Sequence, residues 1–551
     1  MGLADAVLAS TGIPLDWRAK LEEEAPRLTS VLALDAPIEV AFALDENPNR
    51  PPHGVVSFGA VSEGSVLAEL EQQGVAFRAE DDGQRWFVWD DVSCAVGPSL
   101  GATPVRVVCS DDDTSLAALL PYALRGLPAE ELSDAEAHLE FRAAPLKAAY
   151  GSQLRSLKLF ASVAARQIEI DNARFDRAVA DALLALADEG IHLAQDLESV
   201  KLELRAAESG DYELSFSGTF ESRSSWTVAS VELLGQTQAL PPALFWQLPA
   251  TSSAASFTRT LPREQLRAVH ENLVDLLGGW LEHQKLGEKT RVRIERFVMD
   301  MLAYDGVVAT ATGPVIALDA EAGQLGPAWQ LVGLEADAAV YKKRIDELAQ
   351  ALSAPDLRKA AGEDARFIPE LKARGALPNR GGSAVYEWRL DGAVDELVGE
   401  LSGEGNRGIG SAAKLLQHGF FAIVPDGPRT WLAWSSDKSQ LAAPFDVLFK
   451  SGSPRLESVS GLTSLRDRTS AVSGFVRLEG LVGPLAAEFG ATRAKSWEAL
   501  SRGLPYRGNV PITFHVRAEP GPKSSIHVTE RVPHEFVADL TALVVRAVAA
   551  D

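Results

Sequence analysis

Residues 106–126, RVVCSDDDTSLAALLPYALRG, place a short strand pattern directly before a helical one. This stretch aligns without gaps on residues 431–451, WLAWSSDKSQLAAPFDVLFKS. The identical positions are Ser110 and Ser435, Asp112 and Asp437, and Leu116-Ala117-Ala118 and Leu441-Ala442-Ala443. The match predicts that one strand-and-helix unit occurs twice in the chain.

Two further similarities follow in the same order in both halves. LEFRAAPL at 139–146 is similar to GFVRLEGL at 474–481, and the alternating run at 201–217 is similar to the one at 512–529. Three matches in one order indicate a duplication. We therefore expect an α+β protein of two related lobes, each an antiparallel sheet covered on one face by helices.

The run at 200–216 predicts a hairpin, because its apolar residues alternate with polar ones. A period of two places six of these residues on one face of the sheet, namely Val200, Leu202, Leu204, Tyr212, Leu214 and Phe216. The opposite face is polar. This pattern is typical of an antiparallel sheet that is covered on a single side.

The length of 551 residues predicts more than one domain, because single cores stop growing below that size. A hydrophobic content of 46% and a charged content of 23% are typical of globular proteins. We expect an N-terminal helical segment over 1–30 and a first lobe over 31–260. A helical connector over 261–324 and a second lobe over 325–551 follow.

The chain is acidic, with 53 Lys and Arg against 76 Asp and Glu and a net charge of −23. This charge disfavours nucleic acid and anionic membranes as partners, although a local basic patch is compatible with it. No apolar run approaches the about 20 residues that cross a bilayer. The first residues, with Asp5, lack an export signal, which leaves a cytoplasmic protein or an exported chain without its leader.

Cys94 and Cys109 are the two cysteines of the chain, on strand patterns joined by the loop GPSLGATP. A register that places the two residues directly opposite each other brings their sulfurs within disulfide distance. Two buried thiols are the alternative. A zinc site or a catalytic thiol would need further Cys or His residues nearby. A disulfide favours an extracytoplasmic protein in the periplasm or at the cell surface.

Residues 94–128, CAVGPSLGATPVRVVCSDDDTSLAALLPYALRGLP, and the following AHLEFRAAPLKAAYG at 137–151 carry a family resemblance. They resemble uncharacterised large envelope proteins of myxobacteria and their relatives. The resemblance implies an exported or lipid-anchored location and supplies no catalytic residues. This chain differs in lacking an export signal.

Two serines lie where a hydrolase nucleophile would lie. Ser62, in AVSEG, stands between a strand and a helix, and Ser435 with Lys438 forms an SxxK pattern at a helix start. The partner motifs of both enzyme classes are missing. We therefore expect Ser62, Ser435 and also Asp112 to cap helices.

Two other motifs are incomplete. Gly403, Gly405 and Gly408 satisfy GxGxxG, but no strand precedes them, so we expect a loop between helices. His270 begins HENLV, which lacks the second His of a zinc protease.

The last hairpin gives the best metal candidates, because one register pairs His515 with His527 and leaves His534 as a third ligand. A solvated polar face is the alternative. Four tryptophans on strand patterns suggest packing or an apolar ligand groove, namely Trp86, Trp89, Trp431 and Trp434. The C-terminal helix has an apolar stripe that we expect to dock on the last hairpin, namely Val537, Leu540, Val544 and Val548.

These patterns predict a non-catalytic envelope or cell-surface protein that binds a partner protein or an apolar ligand, without a cofactor. Two alternatives remain open. One is a carrier of lipid or another apolar molecule. The other is a serine hydrolase that uses Ser62 or Ser435.

Overall fold

The computed structural model describes residues 26–33, 36–44, 52–79, 84–89, 91–100, 103–127, 135–167, 172–207, 209–302, 304–319, 324–390, 417–485 and 497–550. The protein is α+β with antiparallel sheets. It forms two compact units, a smaller one over Gly12–Ser156 and a larger one over Leu157–Asp551. This boundary falls inside the predicted first lobe of 31–260. Most of the predicted N-terminal helical segment lies outside the described residues.

The smaller unit contains a six-stranded sheet in the order β1-β2-β6-β5-β4-β3. Its strands are β1 (Glu39–Ala43), β2 (His53–Ala60), β3 (Phe77–Ala79), β4 (Arg85–Trp89), β5 (Val92–Pro98) and β6 (Val105–Ser110). Its helices are α1 (Pro26–Val31), α2 (Glu63–Gln72) and α3 (Asp113–Pro121), which continues as a π-helical turn over Tyr122–Gly126. Neighbouring strands alternate in direction throughout.

Helices cover both faces of this sheet, whereas the sequence predicts one covered face. Leu116 of α3 packs with Ala95 and Val108 on one face. Val66 of α2 packs with Phe87 and other residues on the opposite face. Both faces are covered because α2 and α3 pack on opposite faces of the sheet, and each helix carries its own apolar stripe.

Strand β7 (Ala137–Arg142) and helix α4 (Ala143–Arg166) lead the chain into the larger unit. The strands that follow are β8 (Leu197–Ala206), β9 (Tyr212–Phe220), β10 (Ala254–Arg259), β11 (Val307–Thr312), β12 (Val315–Asp319), β13 (Gln324–Pro327), β14 (Gln330–Leu334), β15 (Glu370–Ala373), β16 (Ala384–Arg389), β17 (His418–Asp426), β18 (Arg429–Ser435), β19 (Val472–Arg477), β20 (Pro511–Glu519) and β21 (Ser524–Val532). They run in the order β15-β16-β17-β18-β14-β11-β10-β19-β20-β21-β9-β8, and β12 and β13 form a separate hairpin.

The helices of the larger unit are α5 (Ala173–Asp196), α6 (Trp226–Thr237), α7 (Ala243–Trp246), α8 (Arg263–His283), α9 (Glu288–Leu302), α10 (Ala338–Leu352), α11 (Pro355–Ala361), α12 (Ala443–Phe449), α13 (Thr463–Arg466), α14 (Leu478–Leu485), α15 (Trp497–Ser501) and α16 (His534–Ala550). Short 3-10 turns occur at Gly362–Phe367, Leu456–Ser458 and Ser460–Leu462. The predicted connector of 261–324 is helical as far as Leu302 and then enters β11 and β12. Its later residues pair because they alternate as Val-Val-Ala-Thr-Ala-Thr, a strand period.

The two units share one chain order of strands and helices. The smaller unit runs β2-α2-β3-β4-β5-β6 with β6 beside β2, and the larger unit runs β14-α10, then β15-β16-β17-β18, with β18 beside β14. Ser110 Oγ donates to the carbonyl of Gly54 at 2.7 Å, and Ser435 Oγ donates to that of Ala328 at 2.5 Å. The aligned residues 106–126 and 431–451 therefore occupy like positions within their sheets.

The hairpin predicted at 200–216 forms, since Leu202 lies opposite Phe216 and Leu204 opposite Leu214. Its apolar face is covered only in part, because Leu202 and Phe216 are 37% and 40% exposed. The predicted stripe of the last helix, α16, is wrong. Its buried residues include Phe536 and Leu543, whereas Leu540 and Val544 are 36% and 40% exposed. The side chain of Val548 lies outside the described residues.

A buried polar contact explains why α16 buries a different face from the predicted one. Asp539 on this helix is fully buried, and its carboxylate accepts the backbone N–H groups of Tyr506 and Gly508 at 2.7 and 2.6 Å. An unpaired buried carboxylate would be costly. These two bonds therefore fix which side of the helix faces inward.

Candidate functional site

The disulfide predicted between Cys94 and Cys109 is confirmed. The two residues lie directly opposite each other on β5 and β6, their Cα atoms are 4.1 Å apart, and their sulfurs are bonded. No free cysteine remains. Because the two sulfurs are bonded to each other across the strands, neither is a free thiol that could act as a nucleophile or bind a metal.

The disulfide belongs to a row of apolar side chains that crosses the sheet of the smaller unit. Val40 of β1 lies opposite Val56, Val56 opposite Cys109, and Cys94 opposite Phe87. We call these five residues the apolar row. Helix α2 covers the Phe87 end, and the Val40 end reaches the edge strand β1.

Strand β1 presents an apolar surface at the edge of its sheet. Ile38, Val40 and Phe42 point to one face and are 60%, 51% and 74% exposed. The ring of Phe42 lies over Gly54, where any Cβ would come within 2.9 Å of the ring. Within the described ranges, no strand pairs with the outer edge of β1.

A buried ion pair fixes β1 on its other face. Arg106 of β6 is 2% exposed and lies 2.7 Å from Glu39 of β1. The Arg106 guanidinium also donates to the Ser57 hydroxyl at 2.7 Å and to the Pro37 carbonyl at 3.1 Å. Burial lowers the pKa of Arg106, and Glu39 opposes that shift. The sequence analysis missed this ion pair, although Glu39 and Arg106 each stand as a charged residue inside an apolar strand pattern.

The two candidate nucleophiles serve the fold. Ser62 caps α2, since its hydroxyl accepts the N–H of Ser65 at 3.0 Å and donates to the Ser65 hydroxyl. The prediction that Ser435 caps a helix is wrong, because its hydroxyl donates to the Ala328 carbonyl and the next helix, α12, begins only at Ala443. Asp112 caps α3 by accepting the N–H of Ser115 at 2.8 Å, as predicted.

The tryptophans do not form the predicted groove. Trp86 and Trp89 pack on opposite faces of β4, because residues three apart in a strand point to opposite sides. Trp431 is fully buried, and its indole N–H donates to Asp426 at 3.1 Å, while Trp434 lies across from Phe421. The indoles of each strand therefore belong to packing on two different faces.

The predicted histidine pair is not formed. His515 lies opposite Thr529, and His527 lies opposite Arg517, so the two imidazoles are diagonal rather than facing. The Arg468 guanidinium lies 3.1 Å from His515 Nε2. Burial, with the charges of Arg468 and Arg517, lowers the pKa of His515 to about 4. A guanidinium at the imidazole nitrogen excludes His515 as a metal ligand in this arrangement.

His534 lies elsewhere, at the start of α16. Its Nδ1 is 3.5 Å from Asp211 and 3.3 Å from Glu535, and these three side chains are close enough to hold a metal ion. Asp211 already accepts hydrogen bonds from two other residues or groups, however. It accepts two bonds from Arg531 and the backbone N–H of His534. Capping of the helix and pairing with Arg531 account for the cluster.

The two remaining motifs contribute no site. Gly403, Gly405 and Gly408 lie outside the described residues. His270 is buried on α8, and the residue four positions on is Val274, which offers no ligand atom to a metal.

A cavity of about 620 Å³ lies between α9 and α10 and is lined mainly by charged side chains. Arg293 and Arg296 line it from α9, and Lys342 and Lys343 line it from α10. We call these four residues the basic groove. Sequence reasoning missed it, although the runs RVRIER at 291–296 and KKR at 342–344 were a visible signal.

Within the described residues, no helix is long and apolar enough to span a membrane. No protein-family model, curated protein or solved structure matches the chain.

Proposed function

We propose that this protein is a non-catalytic binding protein of an oxidising, extracytoplasmic compartment, and that it binds a partner protein by strand addition at β1. The observation that carries this proposal is the exposed apolar edge of β1, with Ile38, Val40 and Phe42 beside a strand edge that has no neighbour among the described residues. Strand addition joins an extended segment through main-chain hydrogen bonds, and pockets for alternate side chains select it.

The edge lacks the usual protection against pairing. Soluble proteins blunt edge strands with charges, prolines or bulges. The single charge on β1 is Glu39, and Arg106 neutralises it inside the sheet. The exposed side chains are apolar, so an added strand would bury them instead of meeting a charge.

The larger unit supports a specific kind of occupant. There, β11 holds the place that β1 holds in the smaller unit, next to the strand that leads into the covering helix. Strand β10 pairs with β11 in antiparallel fashion and buries Ala255 and Phe257. We therefore propose an antiparallel partner segment with small or apolar residues at alternate positions.

Other candidate functions have less support. The Ser62 hydroxyl caps α2 and the Ser435 hydroxyl donates to the Ala328 carbonyl, which supports a non-catalytic role. The cavity of about 620 Å³ is lined by charged groups, which do not suit an apolar ligand. The Cys94–Cys109 disulfide supports an oxidising compartment.

The binding test uses the full-length chain and a labelled peptide with its own residues 252–261, SSAASFTRTL, which contain β10. Fluorescence anisotropy should show saturable binding. A Val40→Lys/Phe42→Lys variant should lose it, because two charges would enter the new interface. Val88→Lys is the matched control, since Val88 is 60% exposed on β4 of the same sheet.

The outcomes separate clearly. Binding to the wild type and to the Val88→Lys variant, with none to the double variant, supports the proposal. Absence of binding at millimolar peptide, or equal binding by all three proteins, overturns it. The compartment is tested separately by counting free thiols in unreduced, denatured protein isolated from its native cells, where two free thiols would contradict it.

A further inference from the structure

The basic groove concentrates positive charge in a chain whose net charge is −23. Its four cations are exposed, and none makes an ion pair within 4.0 Å with a residue that the structure describes. Arg293 and Arg296 lie three residues apart on α9 and so share one side of that helix. Lys342 and Lys343 are adjacent on α10, which packs against α9.

The two carboxylates that border the cavity already have partners. Asp346 accepts the hydroxyl of Tyr386 at 2.7 Å, and Glu347 accepts Arg344 at 2.8 Å. The bond from Arg344 lowers the pKa of Glu347, and Lys343 and Arg296 lower it further. Asp346 and Glu347 therefore offset only part of the charge of the four cations.

We infer that the basic groove binds a compact ligand with several phosphate groups. Guanidinium groups form paired hydrogen bonds with phosphate oxygens, and ammonium groups add point charges. A cavity of about 620 Å³ is of the size that small ligands occupy. The acidic surface elsewhere repels anions, so the groove is where an anionic ligand would concentrate.

The phosphate groups can belong to a free polyphosphate or to lipid headgroups, and the experiment distinguishes these sources. Isothermal titration calorimetry of the full-length protein with inorganic tripolyphosphate at low salt measures the first. Co-sedimentation with phosphatidylcholine vesicles that contain phosphatidylglycerol, with and without tripolyphosphate as competitor, measures the second. Both signals should weaken as ionic strength rises.

The test variant is Arg296→Gln/Lys343→Gln, which removes one cation from each helix. Since bonds to charged groups are strong, the variant should bind about tenfold more weakly or worse. The matched control is Lys438→Gln/Lys450→Gln, two exposed lysines of the same unit that do not line the cavity. The control should bind like the wild type.

Binding of tripolyphosphate alone identifies a free phosphate ligand, and vesicle binding that tripolyphosphate displaces identifies a headgroup. Either result supports the inference if the test variant loses that binding. No binding of either probe, or equal loss in the test and control variants, overturns the inference. The groove lies in the larger unit, so neither outcome depends on strand addition at β1.

Discussion

At the scale of single residues, the ion pair between Arg106 and Glu39 is the most consequential contact in the smaller unit. The side chains of Arg106 and Glu39 are 2% and 10% exposed, and removal of one takes away the opposite charge that the other faces inside the sheet. Arg106→Met should therefore destabilise this unit by about 3–5 kcal/mol. Native-state hydrogen exchange at the amides of β2 and β6, measured at increasing urea concentration, reports the loss in this unit.

The matched control is Arg106→Met/Glu39→Leu, which removes both charges. Apolar replacement of a whole buried pair is often neutral, so the double variant should recover most of the lost stability. A single variant as stable as the wild type would show that Arg106 does not hold β1 in place.

His515 gives a pH-dependent prediction. Its folded-state pKa of about 4 lies below the ordinary 6.5, so between these values the unfolded chain binds more protons. Stability is fully present above pH 6.5 and is lost as the pH falls toward 4, by up to about 3 kcal/mol.

The comparison uses His515→Gln, which cannot titrate. Its unfolding free energy should vary less between pH 6.5 and 4 than that of the wild type, as measured by urea unfolding at several pH values. Equal slopes for the two proteins would contradict the buried, neutral state of His515.

Residue roles were predictable where they depend on near neighbours in the chain. Ser62 and Asp112 cap the helices that begin directly after them, and the sequence alone indicates this. Arg106 and Glu39 meet only because β1 and β6 flank β2. Such a contact depends on strand order, which local patterns do not specify.

At the scale of secondary-structure elements, the disulfide cross-links β5 to β6. It closes a separation of 15 residues, for which the chain-entropy model gives about 3 kcal/mol. Reduction should lower the stability of the smaller unit by roughly that amount. Urea unfolding with and without reductant tests this, and reductant should have no effect on a Cys94→Ala/Cys109→Ala variant.

The serine bonds of the two units give a paired prediction. Ser110→Ala and Ser435→Ala each leave a carbonyl without its donor and should each cost about 1–2 kcal/mol. Ser436→Ala is the control, because the Ser436 hydroxyl bonds to none of the residues that the structure describes, and the change should cost less than about 0.5 kcal/mol. Unequal losses at Ser110 and Ser435 would count against equivalent roles.

Element faces were more predictable than element registers. The hairpin of β8 and β9 pairs the predicted apolar residues on one face because alternation alone determines it, although Leu202 and Phe216 on that face are exposed. In the last hairpin, whose turn contains Pro520, His515 lies opposite Thr529 instead of the predicted His527, yet the two histidines stay on one face. A proline has no N–H to donate, so the turn geometry there does not follow from the strand pattern.

At the scale of the whole molecule, the shared order of strands and helices is compatible with a repeat of residues 106–126 at 431–451. The predicted pair of lobes is wrong, however, because the hairpins at 201–217 and 512–529 both lie in the sheet of the larger unit. Residues 106–126 and 431–451 lie in like positions, with Leu116 and Leu441 both fully buried. The similarity of these two stretches was visible in the sequence because they align without gaps and share Ser, Asp and Leu-Ala-Ala positions. The bounds of the compact units were not visible in the sequence, because they depend on which strands pair over long distances along the chain.

The two units differ at one place that bears on the proposed function. Strand β11 has β10 as its neighbour, whereas the outer edge of β1 has none within the described residues. This difference is the basis of our proposal that a partner segment pairs with β1.

Hydrogen exchange at the backbone amides of Glu39–Ala43 tests that claim most directly. In the free protein, the amides that point away from β2 should exchange rapidly, while those bonded to β2 exchange slowly. Saturating peptide 252–261 should slow the rapid set. Rapid-set amides that are already slow in the free protein, or that stay rapid with peptide bound, would contradict the account.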